Sequence, residues 1–103
     1  MRLRHYETLL LFNPDMNESE RQEVIEDLTK VIEEQYKGKL VAKDEWGIRE
    51  LAYPVKKHTR GYYLRLEYAV PADGVAELER KIRINEDIFK FLTVKLSDKF
   101  QEA

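Results

Sequence analysis

The chain has 103 residues, 43% hydrophobic and 37% charged, with a formal net charge of -2 and no cysteine. That length suits one domain with one core, and the charged share is well above the usual ~25%. The lack of cysteine excludes disulfides, thiol nucleophiles and thiolate metal sites, and the longest apolar run, Leu9–Phe12, falls far short of the roughly 20 residues that span a bilayer.

Met1-Arg2-Leu3-Arg4-His5-Tyr6 contains no apolar signal region, so the sequence predicts a soluble cytoplasmic chain. Residues 4–13 are rich in aromatic and aliphatic types and read as a strand. Asn13-Pro14-Asp15 ends it as a turn. Asn17 or Ser19 then caps a helix, with Glu20 at capping-box spacing from Asn17. Val24, Leu28, Val31 and Ile32 form its apolar stripe, flanked by Ile25, and Gly38 is its expected stop.

A second strand begins near Lys39 and runs, bent at Gly47, to about Tyr53. Pro54 lacks a ladder donor and places that strand at an edge or at its end. The third strand, Gly61–Val70, carries the clearest pattern: Tyr62, Leu64, Leu66, Tyr68 and Val70 alternate with Tyr63, Arg65, Glu67 and Ala69. Pro71 closes it. Asp73 is the expected cap of a second helix with Val75, Leu78 and Ile82 on one face. Asn85-Glu86-Asp87 is a turn, Ile88–Leu96 a last strand, and 97–103 a polar tail beyond a single domain at 1–96.

The order β-α-β-β-α-β predicts an α+β fold of the ferredoxin-like, split β-α-β kind, a four-stranded antiparallel sheet with two helices on one face. Tyr62, Leu64, Leu66, Tyr68 and Val70 should form the helix-facing row, packed on Leu28, Val31, Ile32, Leu78 and Ile82. The first strand is apolar on both faces, with Tyr6, Thr8, Leu10 and Phe12 opposing Leu9 and Leu11. In the last strand Phe91 and Thr93 oppose Leu92 and Val94. These two strands are neighbours in this topology, so Leu9, Leu11 and Tyr63 should contribute to an apolar patch on the open sheet face. Such a patch marks a partner surface, or is covered by the bent hairpin or the tail. Leu11→Asp is expected to leave the domain folded.

Charge is segregated along the chain. Residues 17–36 carry seven acids against two bases, and residues 46–65 carry five bases against Glu50 alone. Arg49, Lys56, Lys57 and Arg60 near the hairpin, with Arg2, Arg4, Lys90 and Lys95 on the terminal strands, are the candidate phosphate contacts. The alternative is an ordinary solvated surface. Arg60-Gly61-Tyr62 matches the first three positions of the RNP1 octamer of RRM domains, but Tyr63, Leu64 and Glu67 do not. Tyr62 also shares the register of the core row, which excludes base stacking of the RRM kind. The two histidines, His5 and His58, lack metal-ligand spacing. Neither serine lies in a nucleophile motif, and the four glycines form no phosphate-cradling loop. The sequence therefore predicts no enzyme, metal, cofactor or small-molecule substrate. The alternative function is a regulatory ferredoxin-like module binding a small metabolite, but the Asn13–Asn17 turn lacks the glycine such pockets usually use.

The segment Trp46-Gly47-Ile48-Arg49-Glu50-Leu51-Ala52-Tyr53-Pro54-Val55-Lys56-Lys57, followed by Gly61-Tyr62-Tyr63, resembles the hairpin of the bacterial small-subunit ribosomal protein S-six (S6) family. That family's pattern reads G-x-R-x-L-A-Y-P-I-x-K, then G-x-Y or G-Y. Gly47, Arg49, Leu51, Ala52, Tyr53, Pro54, Lys57 and Gly61 match, and Val55 replaces isoleucine. Tyr6-Glu7 and the strand ending in Asn13-Pro14 match as well, so the resemblance covers about residues 4–96. It implies a structural protein of the ribosome that binds small-subunit (16S) rRNA and pairs with ribosomal protein S-eighteen (S18). S18 would then occupy the open sheet face, with Glu7 and Glu67 complementing its positive charge.

Overall fold

The computed structural model describes residues 2–98. Its elements are β1 (Arg4–Phe12), α1 (Glu18–Lys30, continued by a π-helical turn over Val31–Gln35), β2 (Lys39–Val55), β3 (His58–Val70), α2 (Ala72–Ile84) and β4 (Ile88–Ser97). The sheet order is β2-β3-β1-β4 with every pair antiparallel. This is the predicted order, with the first and last strands side by side.

Local chemistry fixes the element ends. The Asp15 amide donates to Asn13 Oδ1 at 2.9 Å and closes the first turn. Asn17 caps α1: its Oδ1 accepts from the Glu20 amide at 2.8 Å, while Glu20 Oε1 accepts from the Asn17 amide at 3.1 Å. The reciprocal pair satisfies two amides that the first helical turn leaves without partners. Ile25, Leu28, Val31 and Ile32 are buried and Val24 is half-buried, so Ile25 belongs to the stripe and Val24 flanks it.

Two expected ends differ in detail. The left-handed residue after α1 is Lys37, at φ 57°, rather than Gly38. Gly38 is required by space instead, because a Cβ there would overlap the Ala69 carbonyl oxygen and lie 2.8 Å from Val70 Cγ1. Helix α2 starts at the Pro71 cap with no side-chain cap bond, and Asp73 sits inside its first turn. There the carboxylate faces the positive end of the helix dipole without capping it.

The core lies between the helices and one face of the sheet. Leu64, Leu66, Tyr68 and Val70 are at most 1% exposed and cluster with Leu28, Val31, Ile32, Leu78 and Ile82, in the predicted register. Tyr62, the first residue of that row, is half-buried against Phe12. Thr8 is the one buried polar residue among those described. Its Oγ1 is satisfied by Tyr68 Oη at 2.7 Å and Thr93 Oγ1 at 2.9 Å.

The β2–β3 hairpin outruns the rest of the sheet. β1 pairs with β3 only from Tyr62 onward, whereas β2 and β3 pair out to Val55 and His58. The protein is accordingly elongated, 42 × 23 × 22 Å. β2 is an edge strand, and Pro54 also lies near its end, so both placements expected of the proline are met. It bulges between the pairs Glu50–Arg60 and Val55–His58, where residues 51–54 face Thr59 alone. β4 runs one residue past its predicted end, and residues 99–103 of the predicted tail lie outside the described part of the chain.

Candidate nucleic-acid and protein interface

Lys56 and Lys57 are the two residues between the paired Val55 and His58, with φ of 48° and 69°. Two successive left-handed residues make a tight turn whose twist matches the flanking strands. Asn-Gly is the usual occupant, because side chains with a Cβ resist that backbone. Here two lysines take it and are both exposed at the hairpin tip. Arg60 pairs with Glu50 across the hairpin, and Arg49 Nε donates to the Trp46 carbonyl at 3.3 Å. A cleft of about 420 Å³ beside the hairpin is lined by Pro14, Asp15 and Ile48 together with residues 57–60. Among the described residues, Arg49, Lys56, Lys57 and Arg60 form no ion pair.

The eight cations singled out in the sequence divide into two groups. Arg49, Lys56, Lys57, Arg60 and Lys90 lie toward the end of the sheet where β1 finishes, Lys90 being paired with Leu11. Arg2, Arg4 and Lys95 lie at the opposite end, where Tyr6 pairs with Lys95. Lys95 and Lys90, the nearest members of the two groups, lie five residues apart along β4, roughly 17 Å of extended chain. Lys95 is held by Asp98, Nζ to Oδ1 2.6 Å. The hairpin group is thus one candidate site and the terminal group is not continuous with it.

The open face of the sheet carries the predicted apolar residues and more. Leu9, Leu11, Tyr63, Lys90, Phe91 and Leu92 line a shallow pocket of about 200 Å³. Trp46 leans on Tyr63, ring centroids 6.3 Å apart, and Leu92 and Val94 are 62% and 41% exposed. Leu11 is only 4% exposed, because it sits over Gly61 on the neighbouring strand. It therefore belongs to the folded interior, and the expectation that Leu11→Asp spares folding is corrected.

Glu7 and Glu67 are both engaged within the protein. Arg65 stands between them and donates through Nε to Glu7 Oε2 at 2.7 Å, through Nη2 to Glu67 Oε1 at 2.7 Å, and through Nη1 to Asp44 Oδ2 at 2.9 Å. His5 Nε2 lies 2.6 Å from Glu67 Oε2. The Arg65 hydrogen bond holds the Glu67 carboxyl below the usual carboxylate range, and its carboxylate partners push the Arg65 guanidinium further up. Three carboxylates share one guanidinium, so the rim keeps an acidic excess although Glu7 and Glu67 are bound within the protein.

Trp46, His58, Phe89, Leu92 and Val94 join these surfaces without having been singled out as site residues. Leu92 and Val94 were legible from the alternation of β4. Phe89 was not, because a bulge in the β1–β4 pairing between Leu11 and Phe12 turns it out of that alternation.

The sequence model of ribosomal protein S6 matches residues 5–95. The chain belongs to the ribosomal protein S6 family. It is 54% identical over 101 residues to the small ribosomal subunit protein bS6 of Nitratidesulfovibrio vulgaris (strain DSM 19637 / Miyazaki F), covering 98% of this chain and 99% of that one. The bS6 protein of Oleidesulfovibrio alaskensis is equally similar, 54% over the same span. In three dimensions the chain matches the 30S ribosomal protein S6 of Thermotoga maritima with a TM-score of 0.84 at 31% identity, over 91% of this chain and 88% of that one. S6 is a structural protein of the bacterial small ribosomal subunit, so RNA binding and translation follow from membership, as does a place in the ribosome, which is cytoplasmic in bacteria. Among the described residues no helix is long and apolar enough to cross a membrane.

Proposed function

We propose that this chain binds 16S rRNA through the β2–β3 hairpin and holds S18 on the open sheet face, acting by binding and not by catalysis. The observation that carries the reading is the Lys56-Lys57 turn. A left-handed backbone is a costly place for two lysines, and it presents both as exposed side chains at the hairpin turn, with no carboxylate among the described residues paired to either. Arg49 and Arg60 extend that cationic surface toward the hairpin root, and Lys90 adds to it from β4. Arg2, Arg4 and Lys95 would make a second, separate contact. Leu9, Tyr63, Trp46, Leu92 and Val94 would contact the protein partner, and the acidic rim around Arg65 suits a basic one. Residues 1–96 serve as the binding domain and 97–103 as an appendage to it.

Replacing Lys56, Lys57 and Arg60 together by Gln tests the reading. Association with rRNA should weaken, and the dependence of log affinity on log salt should flatten by about two to three in slope, near 0.9 per lost phosphate contact. Discrimination among RNA sequences should hardly change, since phosphate contacts position and do not specify. Replacing Glu23 and Glu26 on the acidic helix by Gln should have little effect. An unchanged salt slope in the triple variant would remove the hairpin from the RNA interface.

A further inference from the structure

Phe89 is set apart from both surfaces built by its neighbours. Ile88 before it is buried in the core, and Lys90 after it pairs with Leu11 on the open face. The pairs Leu11–Lys90 and Phe12–Ile88 leave Phe89 as the extra residue of a bulge, the device by which strands re-aim a side chain. The ring meets the hairpin turn. The His58 imidazole lies 5.3 Å from it at 31°, and Lys56 Nζ lies 5.3 Å over it. Phe89 is half-exposed and belongs neither to the core cluster nor to the apolar pocket of the open face.

A ring kept only for packing is covered by apolar atoms. Two of the groups that meet this one are an imidazole and an ammonium, and the ammonium can leave for a phosphate. Lys90 adjoins it along the chain, and Lys57 and Arg60 line a cleft beside His58. An aromatic ring set among cations is the arrangement that single-stranded nucleic acid binds, with bases on the rings and phosphates on the lysines.

We propose that Phe89, backed by His58, is a stacking platform for one unpaired base of the bound RNA. The base takes the place of the Lys56 ammonium over Phe89, and Lys56 and Lys90 move to the flanking phosphates. The inference rests on the RNA-binding reading above and adds to it a preference for unpaired over paired RNA. Because every base has a π-face, the platform selects for an accessible base and not for its identity.

The test uses the full chain and two blunt-ended RNA duplex stems of equal length and phosphate number, one fully paired and one with a mismatch that frees a base. The wild type should bind the mismatched stem about tenfold more tightly. Phe89→Leu, which keeps an apolar side chain in the bulge, should bring that ratio close to one. Phe89→Trp should retain or raise it, which separates loss of stacking from damage to the fold. Lys56→Gln should weaken both stems. Equal wild-type affinity for the two stems, or a ratio that survives Phe89→Leu, would overturn the platform while leaving the RNA reading in place. Failure of the wild type to bind either stem would overturn the RNA reading itself.

Discussion

Leu11 on β1 rests on Gly61 of β3 so closely that a Cβ at position 61 would overlap Leu11 Cδ1 and lie 3.1 Å from its Cγ. The glycine lets a leucine on the open face of the sheet become buried without any covering layer. Gly61→Ala should destabilise the domain by about 1–3 kcal/mol, as overpacking does in a well-filled core. Leu66→Ala, at a fully buried site on the other face, should cost roughly 2–5 kcal/mol as a cavity. Guanidinium denaturation of both variants measures the two effects. A neutral Gly61→Ala would mean that Leu11 can simply rotate away.

The hairpin turn sets stability against binding. Replacing Lys56-Lys57 by Asn-Gly, the pair best suited to two successive left-handed residues, should raise stability by about 1 kcal/mol. The same change removes two cations and should weaken rRNA binding. The check is denaturation together with RNA binding at one fixed salt concentration. If stability did not rise, the backbone at these lysines would not be strained.

Two groups should shape the pH dependence of folding. Burial pushes the Tyr68 phenol from 10.0 up to about 12. A raised value favours the protonated form in the folded state, so its contribution is complete below pH 10 and is lost between pH 10 and 12. The Arg65 hydrogen bond depresses the Glu67 carboxyl from 4.5. Its contribution is present above pH 4.5 and is lost as the pH falls through the lower folded-state value. Melting temperatures from acid to alkali should therefore decline at both ends. Tyr68→Phe should lose less stability than the wild type over the alkaline limb, and Glu67→Gln less over the acid limb. Parallel curves for wild type and variant would exclude the group concerned.

The partner surface is best probed at Leu92, which is 62% exposed. Leu92→Asp should leave the melting temperature of the free domain within a degree or two, since exposed substitutions shift stability by only a few tenths of a kcal/mol. It should reduce affinity for S18 in calorimetry at least tenfold. Normal S18 binding by a folded Leu92→Asp protein would mean that the partner docks elsewhere.

What the sequence revealed and what it hid divide along physical lines. The helix-facing row from Leu64 to Val70 was legible because a buried face on a strand repeats every second residue. Asn17 and Glu20 were legible because a capping box is local. The burial of Leu11 depends on a glycine opposite it, some fifty residues further along, and no periodicity reports that. Arg65 was read as an alternating residue of β3 and one of the bases of the 46–65 segment, yet its three carboxylate partners come from β1, β2 and β3 itself and meet only when the strands pair. Left-handed φ at Lys56 and Lys57 was hidden because lysine carries no signal for it. Phe89 was hidden by the bulge, which shifts the alternation of β4 by one residue.

The central place of β1 also governs when this molecule comes into being. Its hydroxyl bridge from Thr8 to Thr93 joins residues 85 apart, and the face shared by Leu9 and Leu92 needs the same long closure. While the chain is being made, β1 can pair with β3, but the flank meant for β4 stays bare until β4 emerges. The surface proposed for the protein partner is completed by that final strand. A chain stalled after α2 would present Leu9 and Tyr63 without Leu92 and Val94, and so only part of that surface.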